Sequence, residues 1–255
     1  MLNGLYVATS GLVAQENRVN LISNNLANIN TTGYKKDKSV FTMYLPQDKR
    51  YPQNIIRDTV YNKSINSVVR LDDIYSDFQI GTIKETGNTF DLALENEKAF
   101  FVLDTPFGLR FTRDGNFSIN QDGILVNKDG FRVLPVNYTE NQEIQIPRDA
   151  QVTFSENGEI LIDNLLQNQL YIVTFNDLHN LQKMGRNMYQ AKEMLPEEAD
   201  NPGLKQGFLE TSNINPVNEM VEMIEALRSF ESYQKAIQLL DGVNDLAANR
   251  LGRIA

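Results

Sequence analysis

No cysteine occurs anywhere in the 255-residue sequence, which removes disulfides, thiolate metal sites and a cysteine nucleophile together. The absence is compatible with an oxidising or a reducing compartment and selects neither. Histidine occurs once, at His179 within "NDLHNLQK". A lone histidine is far more often a surface or hydrogen-bonded residue than a catalytic one. Long apolar runs are missing as well: none reaches the roughly 18 residues that a membrane-spanning helix needs. The N-terminus has no basic leader, and Asn3, Thr9, Ser10 and Gln15 interrupt every apolar run there, so a Sec signal is not expected. Export, if it occurs, would take another route. Positive charge is in deficit, with a net charge of −9 and an isoelectric point near 4.8, which argues against nucleic acid as a main partner.

Chemistry-bearing constellations are also scarce. No serine sits in a nucleophile-elbow context, and neither a P-loop nor a dinucleotide fingerprint is present. The stretch "DGNFSINQDGIL" from Asp114 has the outline of a calcium loop, but Ile119 stands where the loop needs glycine and Leu125 where it needs a bidentate glutamate. The acidic pairs Asp72–Asp73 and Glu197–Glu198 fall in connectors, where such pairs are usually solvated. The short basic cluster "YKKDK" from Tyr34 suits solubility or an acidic protein partner better than phosphate. No catalytic, cofactor-binding or metal-ligating residue is assigned, and an enzyme is not expected.

What the sequence does have is heptads. Leu5, Leu12, Val19 and Leu26 form one row, with Ala8, Gln15, Ile22 and Ile29 three places later. All but Gln15 are apolar, the pattern of a coiled-coil seam. Gly4 and Gly11 each weaken this helix by about 1 kcal/mol relative to alanine, so it needs a partner. Gly33 fits the helix-ending position. At the other end Asn215 is a cap candidate and Pro216 a first helical residue. Met223, Phe230, Ile237, Asn244 and Leu251 then make one row and Ala226, Tyr233, Leu240, Ala247 and Ile254 the other. At about 1.5 Å per residue this helix runs roughly 55 Å. Val217, Met220, Ile224, Leu227, Leu239, Val243 and Leu246 lie off the seam. Such a helix must bury more than one side, and one partner does not suffice.

Between these ends the apolar period shifts towards two. Runs such as "FDLALE", "AFFVLD", "LRFTRD" and "FRVLPV" are punctuated by Asp-Gly at Asp114, Asp122 and Asp129 and by Asn-Gly at Asn157. Those dipeptides favour hairpin turns. The expected fold is α+β: long terminal helices pairing as a coiled-coil-like domain (residues 1–34 and 216–255), extended connectors (35–80 and 196–215), and a central all-β antiparallel module, a small barrel or sandwich (81–195).

The ends also carry a resemblance. "GLYVATSGLVAQENRVNLISNNLANINTTGYKKDKSVF" resembles the N-terminal signature of bacterial flagellar rod and hook proteins, and "GFLETSNINPVNEMVEMIEALRSFESYQKAIQ" their C-terminal one. "FDLALENEKAFFVLDTPFGLRFTRDGNFSINQDGILVNKDGFRVLP" looks like their shared β-module, except that Glu97, Lys98 and Ala99 stand where a glycine-containing turn is common. Residues 42–80 match least. The resemblance implies a structural subunit of the basal-body rod, with no catalysis and no cofactor. Its terminal helices would assemble with copies of itself and with neighbouring rod proteins into the axial shaft that carries torque from motor to hook. It further implies location in the flagellar basal body, across the periplasm, and export by the flagellar type III apparatus without a cleaved signal. The chain looks more like a rod protein than a hook or hook-associated subunit. The proximal rod type fits better than the distal one, because "VFTMYLPQDKRYPQN" replaces the acidic-aromatic-leucine segment common in the distal type.

On this reading Leu5, Leu12, Val19, Ile22, Leu26, Ile29, Met223, Phe230, Tyr233, Ile237 and Leu240 are the expected assembly seam. Asn24, Asn25, Asn28 and Asn30, poor helix formers crowded at the end of the first helix, are expected to bond adjacent copies and fix register, as a buried polar residue does in a coiled coil. Gln15 and Asn244 would act likewise. The alternative is that the four amides face solvent and only cap the helix.

Overall fold

A computed structural model of the chain describes residues 2–44, 68–138, 143–147, 150–192 and 195–251. The chain divides into two compact units. A helical unit takes its described structure from both chain ends and residues 37–44 and 68–75, and a β unit is built from Asn28–Lys36 and Ser76–Ile214.

In the helical unit, α1 spans Leu2–Ala27 and α2 spans Pro216–Leu251. α2 starts as its sequence dictates. The Asn215 Oδ1 accepts the backbone N–H groups of Val217 (3.0 Å) and Asn218 (3.2 Å), and Pro216 fills the position where a missing N–H costs nothing. α1 stops earlier than expected. It ends at Ala27, so Ile29 lies beyond the helix rather than at its last seam position, and Gly33 does not cap it. Gly33 instead sits at φ +63°, and a Cβ there would lie 2.5 Å from the Arg113 backbone. Its role is close approach inside the β unit.

The stretch 35–80, expected as a connector, carries two strands: β1 (Asp37–Tyr44) and β2 (Val68–Ser76), paired with each other. The β-branched and aromatic residues of "DKSVFTMY" and "VVRLDDIYS" favour strands. The return segment also joins a sheet. Leu204–Gln206 pairs antiparallel with Leu92–Leu94, and Phe208–Glu210 with Ile83–Glu85. Leu204 and Leu209 are buried, which drives those pairings.

The β unit is antiparallel throughout its described pairings, as expected. Its centre is the strand Ala99–Thr105, paired with Gly108–Thr112 along one edge and with Ile172–Thr174 and Arg132–Val133 along the other. Both faces of this strand are buried. Ala99, Phe101 and Leu103 belong to one core, with Leu125, Val133, Ile160 and Ile172, whereas Phe100 and Val102 belong to a second, with Phe78, Phe111, Phe175 and Tyr189. That explains why "AFFVL" is apolar without alternation. In the second core Phe100 meets Phe78 and Phe175 edge-on at 5.6 Å each, the geometry that the ring quadrupole favours. A three-strand meander over Val152–Phe154, Glu159–Ile162 and Leu165–Gln169 shares the first core.

Three of the four turn dipeptides are hairpins. Gly123, Gly130 and Gly158 stand at φ +80°, +82° and +88° between paired strands. The fourth differs. Gly115 has no positive φ, and a Cβ there would meet the Leu92 carbonyl oxygen at 1.7 Å. It is glycine so that the Leu92 N–H can reach its carbonyl at 3.0 Å, not because the chain turns.

Candidate assembly surface

α1 and α2 pack on each other. Ala8, Ile22 and Ala226 are buried, and Leu5, Leu12, Val19, Leu26, Met223, Phe230, Tyr233, Ile237 and Leu240 are each half-buried. The closest approach is at Gly11, where an added Cβ would lie 2.5 Å from Cε1 of Tyr233. The glycine that weakens α1 locally thus makes room for a ring from α2. The two helices run antiparallel: Asn25 meets Glu219 near one end of the pair and Gly11 meets Tyr233 further along.

The off-seam apolar residues are exposed, as a helix with two apolar stripes requires of a single copy. Val217, Met220, Val221, Ile224 and Leu227 form one patch on α2, and Leu239, Val243 and Leu246 another. On α1, Tyr6 and Val13 are exposed. Gln15, the polar exception in the α1 row, has its Oε1 buried with no hydrogen-bond partner among the described residues. Asn244 is half-buried.

The four asparagines divide. Asn25 is fully buried and used within the chain. Its Oδ1 accepts the Asp37 N–H (3.0 Å), its Nδ2 donates to the Asp37 carbonyl (2.9 Å), and Glu219 Oε2 lies at 3.5 Å. An amide so occupied ties β1 to the end of α1 within the single copy. Asn28 caps a turn past the helix, its Oδ1 accepting the Thr31 hydroxyl at 3.2 Å. Asn24 and Asn30 are exposed.

The basic cluster is where sequence reasoning missed most. Lys35 is fully buried, not a solvated charge. Its Nζ donates to Glu210 Oε1 (2.5 Å) and to the carbonyls of Gln79 (2.8 Å) and Phe78 (3.2 Å). Glu210 holds a second buried cation: Arg113 Nε donates to its Oε2 at 2.9 Å, while the guanidinium also reaches the Leu94, Asn96 and Ala99 carbonyls. Beside this triad the Asn213 Oδ1 accepts the Lys36 N–H (2.8 Å), and its Nδ2 donates to the Asp77 carbonyl (2.7 Å). Three passages of chain, at residues 33–36, 77–81 and 210–213, are therefore tied into one clasp inside the β unit. "TTGYKK" is the piece that docks. Thr32 donates to Asp114 Oδ1 (2.5 Å), and Lys183 Nζ stands 3.7 Å from the Tyr34 ring centre. A hint was available: a lysine beside glycine and tyrosine, followed far downstream by a glutamate in an apolar strand, suits a buried pair.

Burial pushes the Lys35 ammonium down to about 8, with Arg113 pulling the same way and Glu210 opposing. The unfolded chain holds this proton up to its ordinary value of 10.5. Between about pH 8 and 10.5 the unfolded state therefore binds more protons than the folded one, and stability rises with pH. The gain is complete above the unfolded value and is lost as pH falls through about 8. In paired melts from pH 7 to 10, the parent chain should gain stability relative to Lys35→Met, which has no such group. Curves that stay parallel would contradict the burial of Lys35.

Features suited to catalysis do not assemble. The N–H of His179 donates to Asp177 Oδ1 (3.0 Å) in a short 3-10 turn, far in sequence from the clasp. Asp73 accepts the N–H of its neighbour Ile74, and Glu197 accepts from Asn176 at 3.0 Å. Among the described residues no group of His, Asp or Glu could hold a metal ion, and no helix is long and apolar enough to cross a membrane. An open pocket beside Pro135 and Tyr138 has its charges spent on each other: Arg132 pairs with both Asp104 and Glu143.

The comparisons with known proteins agree with this arrangement of ends and middle. Residues 5–35 match the model of the flagella basal body rod protein family, residues 96–162 that of the flagellar hook protein FlgE/F/G D1 domain, and residues 205–251 that of the flagellar basal body rod FlgEFG protein C-terminal region. The chain is similar to the flagellar basal-body rod protein FlgG of Bacillus subtilis, 34% identical with 95% of this chain and 97% of the relative covered. It is similar to the flagellar hook-basal body complex protein FlhO of the same species, 33% identical over the full length of both. It is also similar to the flagellar basal-body rod protein FlgF of Caulobacter vibrioides, 31% identical over the full length of both. With three domain matches in order and relatives aligned from end to end, the chain belongs to the flagellar basal-body rod proteins of the FlgF/FlgG type, a family of structural rather than catalytic subunits.

Proposed function

We propose that this rod protein assembles through α1 and α2, which pair in coiled-coil fashion and stack against the same helices of adjoining copies and of neighbouring rod proteins to build the torque-carrying shaft. One observation carries the reading: α2 is apolar on two faces, of which α1 covers one and leaves the other exposed. Exposed leucines, isoleucines and valines along a surface helix are a contiguous patch of the kind that marks an interaction site. The β unit, with its own two cores, forms a separate body of the subunit. Export by the flagellar type III apparatus without a cleaved signal completes the proposal. Proximal placement rests on the segment from Val40 to Asn54, whose greater part lies outside the described residues, and gold-labelling of this chain along isolated basal bodies would test it.

Helices with more apolar surface than one partner covers should be only weakly protected before assembly. Hydrogen exchange on the dilute chain should show residues 5–29 and 220–247 exchanging quickly, and slowly once the chain has polymerised. Strong protection of both stretches at high dilution would sink the proposal. A β unit that exchanged as fast as the helices would sink its role as an independent body.

A further inference from the structure

Within one copy, α1 and α2 settle their closest contact by placing a tyrosine ring over a glycine. Nothing but Gly11 leaves room for Tyr233, since even one carbon added there would lie 2.5 Å from the ring. The same two helices hold a second glycine and a second tyrosine that are not so used. Gly242 lies in the interior of α2, where glycine is less favourable than alanine. No local reason offsets this: a Cβ added to it would have nothing within 4 Å among the described residues. Its neighbours one turn away on the same face, Leu239 and Leu246, are 72% and 62% exposed. The result is a notch with two apolar walls. Gly4 is also open, but its neighbour one turn on, Ala8, is buried in the seam, so it has no such walls. On α1 the unburied ring is Tyr6, 69% exposed.

We propose that Tyr6 of one copy seats on Gly242 of an adjoining copy, between Leu239 and Leu246, repeating between copies the ring-on-glycine contact of Tyr233 and Gly11. The occupant is a second copy because the notch continues a helix surface whose opposite face is already filled by α1 in the same manner. The antiparallel register that sets Asn25 level with Glu219 and Gly11 level with Tyr233 puts Gly242 about one helical turn beyond Tyr6, roughly 6 Å along the axis. Adjoining copies are then offset by about that step. The contact rests on the assembly reading above and gives it a register.

The absence of cysteine makes the test clean. Two singly substituted chains that keep both the ring and the notch, Thr9→Cys one turn from Tyr6 and Gln238→Cys one turn from Gly242, both exposed, are mixed in equal amounts, polymerised and treated with a short bis-maleimide. A mixed dimer should form in excess of either self-dimer. Polymers that form without the mixed dimer would overturn the contact and leave the assembly reading standing. A parent chain that forms no polymer and enters no basal body would overturn the assembly reading itself. A crosslink from Gln238→Cys only to a different rod protein would overturn the choice of a second copy. In parallel, Gly242→Ala should raise the melting temperature of the dilute chain yet weaken association about tenfold or more. Association unchanged by this variant would refute the notch.

Discussion

Glu210→Ala is expected to lower the melting temperature of the β unit by roughly 10 °C. Among the described residues the carboxylate is the one anion bonded to Lys35 and Arg113, both fully buried. Removing it leaves two like charges without their counter-ion, and breaking a buried pair in this way usually costs about 3–5 kcal/mol. It also strips the acceptor from the Gly81 N–H, now 3.0 Å from Oε1. The removal of all three charges is expected to behave differently. A triple variant with Lys35→Met, Arg113→Met and Glu210→Leu should lose less than Glu210→Ala alone, because desolvation no longer has to be offset. Differential scanning calorimetry of the three proteins settles the point. A single variant that melts with the parent would mean that Lys35 and Arg113 are solvated.

Phe230→Ala is expected to abolish swimming while the β unit melts as in the parent. Phe230 is half-buried in α2, within about one turn of Ala226, Tyr233 and Ile237 in the two heptad rows. Truncating a fully buried phenylalanine costs about 3–5 kcal/mol, and in the single copy only part of that surface is at stake. The remainder would be lost in every copy of a polymer, so the motility defect should exceed the change in monomer stability. His179→Ala and Asp73→Ala should swim normally. Motile Phe230→Ala cells beside folded but non-motile His179→Ala cells would reverse the structural reading and point back to an active site.

Much of this was legible in order of residues alone, and the failures share a cause. Heptads are local, so two long terminal helices with more apolar surface than one partner covers were legible in the sequence. Turns at Gly123, Gly130 and Gly158 are local too. Asp163–Asn164 escaped because it turns at φ +50° and +64° without a glycine to mark it. Gly33, expected to end α1, and Gly115, expected in a hairpin turn, are both there to let distant backbone pass, at Arg113 and at Leu92. Lys35 looked like a solvated charge and Asn25 like a contact for another copy because what satisfies them lies further along the chain. A single sequence shows a charge but not the carboxylate that will face it.

That distance sets a schedule. Lys35 waits for a glutamate 175 residues downstream, and Asn25 faces a glutamate 194 residues away. At about 5–20 residues per second, a ribosome takes on the order of 10–35 seconds to supply the first of these. Throughout that interval α1 has no α2, and the segment after it has no clasp to enter. The newborn chain folds its middle while its beginning stays loose, and the two ends close together only as the last helix emerges.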